Sequence, residues 1–248
     1  MLGNRWHALV PAKRLNEAKS RLGRHDLTLP FLSDVVFALQ RSELIEHVSV
    51  ISSDPDIRQH VTNLGCSVIS EPDTGGLTGA IAQGMQWCAD HGVSHVLVAL
   101  GDLPCLNAGH VDEFLGAGSD HEASFLADAE GTGSTLWMRT TETAPAPRFG
   151  FRSRAAHRES GAHEVEGSNF SGARRDVDTE VNLWDAIRIG VGSHTDLALS
   201  NQKPALVVTV SGTNPLIAVD ESGHTHLLSE IHRTEVPRPR IGQRLVIT

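Results

Sequence analysis

HVLVALGDLP, residues 95–104, is the stretch on which the reading of this chain turns. From Val96 to Leu100 it is apolar without a break. A half-exposed strand would alternate, so an unbroken run of this length marks a strand covered on both faces, as in the middle of a parallel sheet. Gly101-Asp102-Leu103-Pro104 comes directly after it, which sets a carboxylate at the strand's carboxyl end. In open parallel sheets, ligands bind beyond that end.

Working outward, the same alternation of short apolar runs and helical spacing fills the preceding residues. Residues 6–10 read as a first strand stopped by Pro11, residues 47–51 as a second and 66–69 as a third. Helical spacing is predicted over residues 32–44, 57–64 and 77–91, with Gly65 and Gly92 placed as terminators of the last two. This pattern predicts an α/β fold with a mainly parallel, doubly wound sheet. Beyond residue 120 the pattern loosens. Strands are expected at 123–127, 135–138 and 173–177, and helices at 154–161 and 180–189, the last capped by Asp178 or Thr179.

The tail differs. Residues 205–210, 216–219, 224–228 and 244–247 read as short strands, with turns at Ser211-Gly212 and Glu221-Ser222-Gly223. The expected division is a main domain over residues 1–199 and a small all-β extension over 200–248, with an OB-like arrangement as one option. So short a segment has little core of its own. It is expected to pack on the main domain or on a second subunit, the latter giving a homodimer.

Composition narrows the partners. The chain has 248 residues and a net charge of -9, with no long basic run, which argues against a nucleic-acid backbone. No segment has the length of apolar sequence that spans a bilayer, no signal-peptide pattern opens the chain, and Cys66, Cys88 and Cys105 lack metal spacing. A soluble cytoplasmic protein with free thiols is expected. There is no GxSxG, Walker A, GxGxxG or HExxH element, which argues against a hydrolase triad, a P-loop enzyme, a dinucleotide domain and a zinc protease.

The remaining candidates for chemistry lie in loops. Lysine occurs only at positions 13, 19 and 203, and two of the three fall in PAKRLNEAKSRL with Arg14 and Arg21. They are either phosphate-facing or a solvated helix face. Asp102 is placed to hold a divalent cation or to cap the next helix. In RRDVDT, Asp176 and Asp178 share a face if the segment is extended. Both then approach a cation, or Asp178 is a cap. The turn EGTGS offers backbone N–H groups and the hydroxyls of Thr132 and Ser134 to an anion, or is an ordinary turn. RFGFRS, with Arg148, Gly150 and Ser153, suits a phosphate or carboxylate, or is a surface loop. EPDTGGLTG, with Gly75, Gly76, Leu77 and Thr78, lets backbone approach a base and ribose, or simply joins strand to helix.

In order, PAKRLNEAKSRL, VISSDP, EPDTGGL, LVALGDLP, ADAEGTGS, PRFGFRS with His157, and RRDVDT resemble the 2-phospho-L-lactate guanylyltransferases, including the members that use phosphoenolpyruvate, in coenzyme F-420 biosynthesis. The resemblance spans residues 6–190 and implies that residues 1–199 form a nucleotidyltransferase catalytic domain of the GT-A-like Rossmann type. It implies transfer of GMP from GTP to a small phosphorylated carboxylic acid, with Mg²⁺, two ions, as cofactor. It further implies that Asp102 and Asp176 hold the metal, with Asp178 in the same acidic segment. Lys13, Lys19 and Arg21 would face the GTP phosphates, Gly75–Thr78 would lie near guanosine, and Ser134, Gly150 and Ser153 would bind the acid, flanked by Thr132 and Arg148. The chain departs from the family's pattern at Thr78, where many relatives carry Asn, at Ser134, which replaces a Thr, and at Arg152. The alternatives are another nucleotidyltransferase, for molybdopterin or a sugar or polyol phosphate, and a nucleotide-binding scaffold without catalysis. The former usually carry a GGxGxR-type loop, absent after residue 10 here.

Overall fold

The computed structural model describes residues 5–12, 22–70, 75–200, 206–213, 216–220, 225–227 and 240–247. Lys13, Lys19, Arg21 and residues 71–74 therefore lie outside the described residues, as does the turn expected at 221–223.

Strands and helices alternate through the first half. β1 (Trp6–Pro11) is followed by α1 (Thr28–Gln40), β2 (Ile45–Ile51), α2 (Pro55–Asn63), β3 (Ser67–Ile69), α3 (Gly76–Asp90) and β4 (Val96–Ala99). Then come α4 (Ala108–Gly118), β5 (Ala123–Ala127), β6 (Ser134–Arg139), α5 (Ser153–Glu159), β7 (His163–Glu164), α6 (Ser171–Arg174), α7 (Glu180–Ile189) and α8 (Ser193–Leu199). The sheet order is β3-β2-β1-β4-β6-β5-β7. β1 runs parallel to β2 and β4, and β2 to β3, while β6 runs against both β4 and β5. The mainly parallel, two-sided sheet expected from the sequence is therefore the fold.

Alternation along each strand feeds two cores. Ala8, Val10, Val50, Leu97, Ala99, Leu136 and Met138 join one side with Val35, Val36 and Leu39 of α1 and Phe114 of α4. Leu9, Ile51, Val96, Val98, Phe125 and Trp137 join the other with Ala80, Ile81 and Cys88 of α3. The apolar run at residues 96–99 is thus buried on both faces because its odd and even members serve different cores. α3 lies close on the sheet: a Cβ at Gly84 would come within 2.5 Å of Ile51 Cδ1 and 3.0 Å of Leu9 Cδ1.

Local chemistry places the helix ends. Asp54 accepts from the amides of Asp56 and Ile57, with Pro55 in the first turn of α2. Thr179, not Asp178, caps α7, in a reciprocal pair with Asn182. α4 is the next helix after Asp102, and Asp102 is not its cap. Asn107 and His110 cap it, and Val111, Phe114 and Leu115 carry its buried face at helical spacing.

Two expectations are corrected. Residues 173–177 are not a strand. Helix α6 occupies Ser171–Arg174, and Gly172 sits so close to Cys105 that a Cβ would lie 2.4 Å from its carbonyl oxygen. Residues 175–177, past the end of α6, contribute single bonds rather than a ladder, among them Val177 N–H to Asp102 O at 3.1 Å. Ser211-Gly212 is not a turn either. It lies within β8 (Leu206–Thr213), at a bulge where pairing to β9 (Leu216–Asp220) shifts after Val210.

With β10 (Thr225–Leu227) and β11 (Arg244–Ile247), these strands form an antiparallel sheet in the order β10-β9-β8-β11. Its described core is small: Val208, Val210, Ala218 and Leu245. The sheet is joined to α7 by Arg244, whose guanidinium donates to both carboxylate oxygens of Asp185 at 2.7 and 2.8 Å. Cys66, Cys88 and Cys105 are buried free thiols, and burial pushes each up, to about 11, 11 and 12. Among the described residues no helix is long and apolar enough to cross a membrane.

Candidate active site

The strand directions bring the candidate residues to one rim. β1, β2, β3 and β4 are parallel, so residues just after each share an edge of the sheet. Gly75–Thr78 opens α3 shortly after β3, and Asp102 lies three residues past β4. Because β6 runs antiparallel to β4, its first residue, Ser134, starts at that same edge. β5 runs antiparallel to β6 and ends there too, so Ala127 pairs with Ser134 and Asp128 comes next.

Asp176 reaches this rim from a remote part of the chain. The bond from Val177 N–H to Asp102 O fixes the two aspartates side by side. Asp176 Oδ1 is buried and has no hydrogen-bond partner among the described residues. Burial pushes the Asp176 carboxyl up to about 8, and the negative charges of Asp102, Glu130, Asp178 and Asp128 push in the same direction. A buried carboxylate facing other carboxylates is costly unless a cation joins it. No three His, Cys, Asp or Glu side chains gather into a metal cage among the described residues. Two aspartates together with phosphate and water oxygens are nevertheless the donor set that suits Mg²⁺. The residues fit the ion. Asp178 is exposed, and its amide donates to Asn182 Oδ1 at 3.3 Å.

The glycine-rich turn has a different interior from the one its sequence suggests. Asp128, which the sequence pattern did not single out, accepts from the amides of Thr132 at 2.9 Å and Gly133 at 2.7 Å. Those N–H groups are therefore taken by the chain's own carboxylate rather than left for an anion. An Asp a few residues ahead of a glycine pair is the signal, since such side chains bond their own following backbone. Arg154 of α5 clamps the turn from outside. Its Nη1 donates to Gly131 O at 3.0 Å, and Nε donates to Glu164 at 2.9 Å.

The turn positions Ser134, which is buried with Ser153 and His157. Ser134 Oγ donates to Ser153 Oγ at 2.8 Å and lies 3.0 Å from His157 Nδ1. The Arg148 amide donates to His157 Nε2 at 2.7 Å. The Arg148 side chain itself is exposed. Burial, and secondarily the Arg148 charge, push His157 down to about 4. Ser153 comes after a bend in which Gly150 has φ 122° and Arg152 φ 55°. Arg152 is thus a non-glycine residue in the left-handed region, ahead of α5. A cavity of about 400 Å³ opens beside it, lined by Gly131, Thr132, Arg152, Arg154 and Arg158.

At the other end of the rim, α3 begins with Gly75 and Gly76. A Cβ at Gly75 would sit 2.6 Å from Gly79 Cα, and Gly76 has φ 52°, so both positions demand glycine. Thr78 is exposed in the first turn.

The chain is similar to known proteins over most of its length. The model of the MobA-like NTP transferase domain matches residues 12–165. Phosphoenolpyruvate guanylyltransferase 2 of Rhodococcus jostii is 36% identical over 203 residues, which is 80% of this chain and 92% of that protein. Phosphoenolpyruvate guanylyltransferase of Streptomyces scabiei is 36% identical over 205 residues, 78% of this chain and 95% of the relative. Among solved structures, a nucleotidyl transferase from Methanothermobacter thermautotroptrophicus aligns with a TM-score of 0.56 at 16% identity, covering 81% of this chain and all of that one. A 4-diphosphocytidyl-2C-methyl-D-erythritol synthase aligns at 0.54 and 13% identity over 75% of this chain and 99% of that one. At those identities the structures speak for the fold alone.

Proposed function

Because this chain belongs to the MobA-like NTP transferases and, within them, to the phosphoenolpyruvate guanylyltransferases, we propose that it transfers GMP from GTP to phosphoenolpyruvate, with release of pyrophosphate and dependence on Mg²⁺. In this reading the product enters coenzyme F-420 biosynthesis. The observation that carries the proposal is the meeting of Asp102 and Asp176, 74 positions apart in the chain, on the rim where Ser134 and Ser153 also lie.

The acceptor is itself a phosphate monoester. Its second pKa is near 6, about one unit below neutral pH, so its attacking oxygen is already ionised. No general base is required, which agrees with a rim whose one deeply buried histidine is held to Arg148 and Ser134. The difficulty is charge: an anion must approach the α-phosphorus of a polyanion. Asp102 and Asp176 would hold Mg²⁺, which would supply charge neutralisation and alignment for in-line displacement. Asp176 keeps an oxygen that has no partner among the described residues in place for this, held by the backbone bond beside it. Ser153, backed by Ser134, holds the acceptor and reduces the entropic barrier. Gly75 and Gly76 let the backbone approach guanosine. Lys13, Lys19 and Arg21 offset the charge of departing pyrophosphate.

The test is incubation of the purified protein with GTP, Mg²⁺ and, separately, phosphoenolpyruvate, 2-phospho-L-lactate and 3-phosphoglycerate, followed by mass detection. The guanylylated phosphoenolpyruvate adduct and equimolar pyrophosphate are expected. No adduct with any of the three acids would refute the assignment.

A further inference from the structure

The buried hydrogen-bond chain through His157 has a direction, and one fixed donor sets it. A backbone amide can only donate, so the bond from Arg148 N–H makes His157 Nε2 an acceptor. A neutral imidazole that accepts at Nε2 carries its proton on Nδ1. Nδ1, 3.0 Å from Ser134 Oγ, is then the donor of that pair. Ser134 Oγ accepts, so its own proton goes to Ser153 Oγ, 2.8 Å away. Ser153 Oγ accepts in turn, and its proton has no acceptor assigned among the described residues. Every proton in the chain therefore points from Arg148 toward Ser153, and the last one points out of it. All three side chains are at most 4% exposed, so water does not compete for the interior bonds.

We infer that His157 is a positioning residue for the acceptor: acting through Ser134, it orients the Ser153 hydroxyl as an obligate donor to an anionic oxygen of the phosphorylated acid. The inference rests on the reading of this rim as the acceptor site. Without the Nδ1 donor, Ser134 is free to turn its proton elsewhere, and Ser153 is free to present a lone pair to an anion. A lone pair there repels the ligand that a proton attracts. The neutral state needed for this is secure, since burial holds His157 at about 4. A Cβ at Gly133 would stand 2.4 Å from Asp128 Oδ2 and 3.6 Å from Ser153 Oγ, so glycine at this position lets the Asp128-capped turn pack close beside the hydroxyl.

Two variants separate orientation from packing. His157→Asn keeps an N–H donor near the Nδ1 position but loses the acceptor for Arg148. His157→Gln keeps an acceptor near Nε2 but loses the donor to Ser134. Under this proposal His157→Gln raises KM for phosphoenolpyruvate about tenfold, the loss of roughly one charge-assisted hydrogen bond, while KM for GTP stays put. His157→Asn recovers most of that loss. In a Ser153→Ala background, His157→Gln adds less than about twofold, because the group it acts through is gone. Full multiplication of the two defects, equal rises in both KM values, or parent-like kinetics for His157→Gln would overturn it.

A measurement on the parent protein covers variants that fail to fold and does not need turnover. ¹⁵N NMR of the His157 ring should show Nδ1 protonated and Nε2 bare at pH 7, with the Nδ1 signal shifting as phosphoenolpyruvate is added without GTP. The opposite tautomer, or an Nδ1 signal unmoved by saturating acid, would refute the positioning role. A shift without any product would instead keep the positioning role and refute the proposed transfer.

Discussion

Asp176 shows how much one carboxyl can carry. Its oxygen Oδ1 is buried without a hydrogen bond among the described residues, and burial and four neighbouring acids raise its titration to about 8. Between about pH 4 and 8 the native chain keeps a proton that the unfolded chain releases, so this group costs stability as pH rises through that window. Asp176→Asn is therefore expected to raise the melting temperature of the metal-free protein at pH 8.5, with the gap over the parent shrinking toward pH 6. It should also cancel the rise that Mg²⁺ gives the parent. Thermal unfolding with and without Mg²⁺ at the two pH values reads both effects. His157 acts in the opposite direction. Pushed down to about 4 from the ordinary 6.5, it stays neutral while the unfolded chain takes up a proton. Stability attributable to it is complete above about pH 6.5 and is lost as pH falls toward 4, by roughly 3 kcal/mol over the whole window. The parent should lose melting temperature more steeply than His157→Asn between pH 6.5 and 4.5.

At the scale of elements, the turn between β5 and β6 is set by Asp128. Asp128→Ala strands two amides that the carboxylate now satisfies and should cost about 1–3 kcal/mol. Because the turn leads into Ser134, KM for the acid should rise more than KM for GTP, as steady-state kinetics would show. The same turn marks where sequence reading stops. Alternation and unbroken apolar runs located β1 to β6 closely, because burial on one or two faces writes itself into residue type every second position. The place of Asp102 at the carboxyl edge of the sheet was legible for the same reason, since it follows the doubly buried strand β4. The partners of the glycine turn were not legible. Whether an amide meets a ligand or an aspartate four residues earlier depends on backbone geometry that GTGS does not encode. Residues 173–177 misled because Val177 looks like strand, whereas its burial comes from packing beside Leu183 and Ala186 of α7. The meeting of Asp176 with Asp102 through one backbone bond has no local signature either. It came from resemblance to a family, not from spacing.

For the whole molecule, a line of charges joins the tail to the active rim. Arg244 of β11 grips Asp185 of α7, Asp185 lies 3.7 Å from Arg175, and Arg175 pairs at 2.7 Å with Glu130 in the glycine turn. Arg175 directly precedes Asp176, so the small sheet is coupled to the segment that brings the second aspartate to the site. Arg244→Ala should release the sheet from α7 at a cost of about 1 kcal/mol, the scale for a partly exposed bidentate pair. Hydrogen exchange should rise across residues 206–213, and turnover should fall less than tenfold. The four-residue core of that sheet makes its dependence on the main domain expected from size alone.

The central claim is that Asp102 and Asp176 act as one site for a divalent cation beside GTP. The most direct measurement is Mn²⁺ binding in the presence of GTP, followed by electron paramagnetic resonance, for the parent, Asp102→Asn, Asp176→Asn and the double variant. Each single change should weaken protein-bound Mn²⁺·GTP and reduce turnover by at least about a hundredfold, and the double variant should be little worse than either single one. A single variant that binds Mn²⁺·GTP and turns over like the parent would contradict the account.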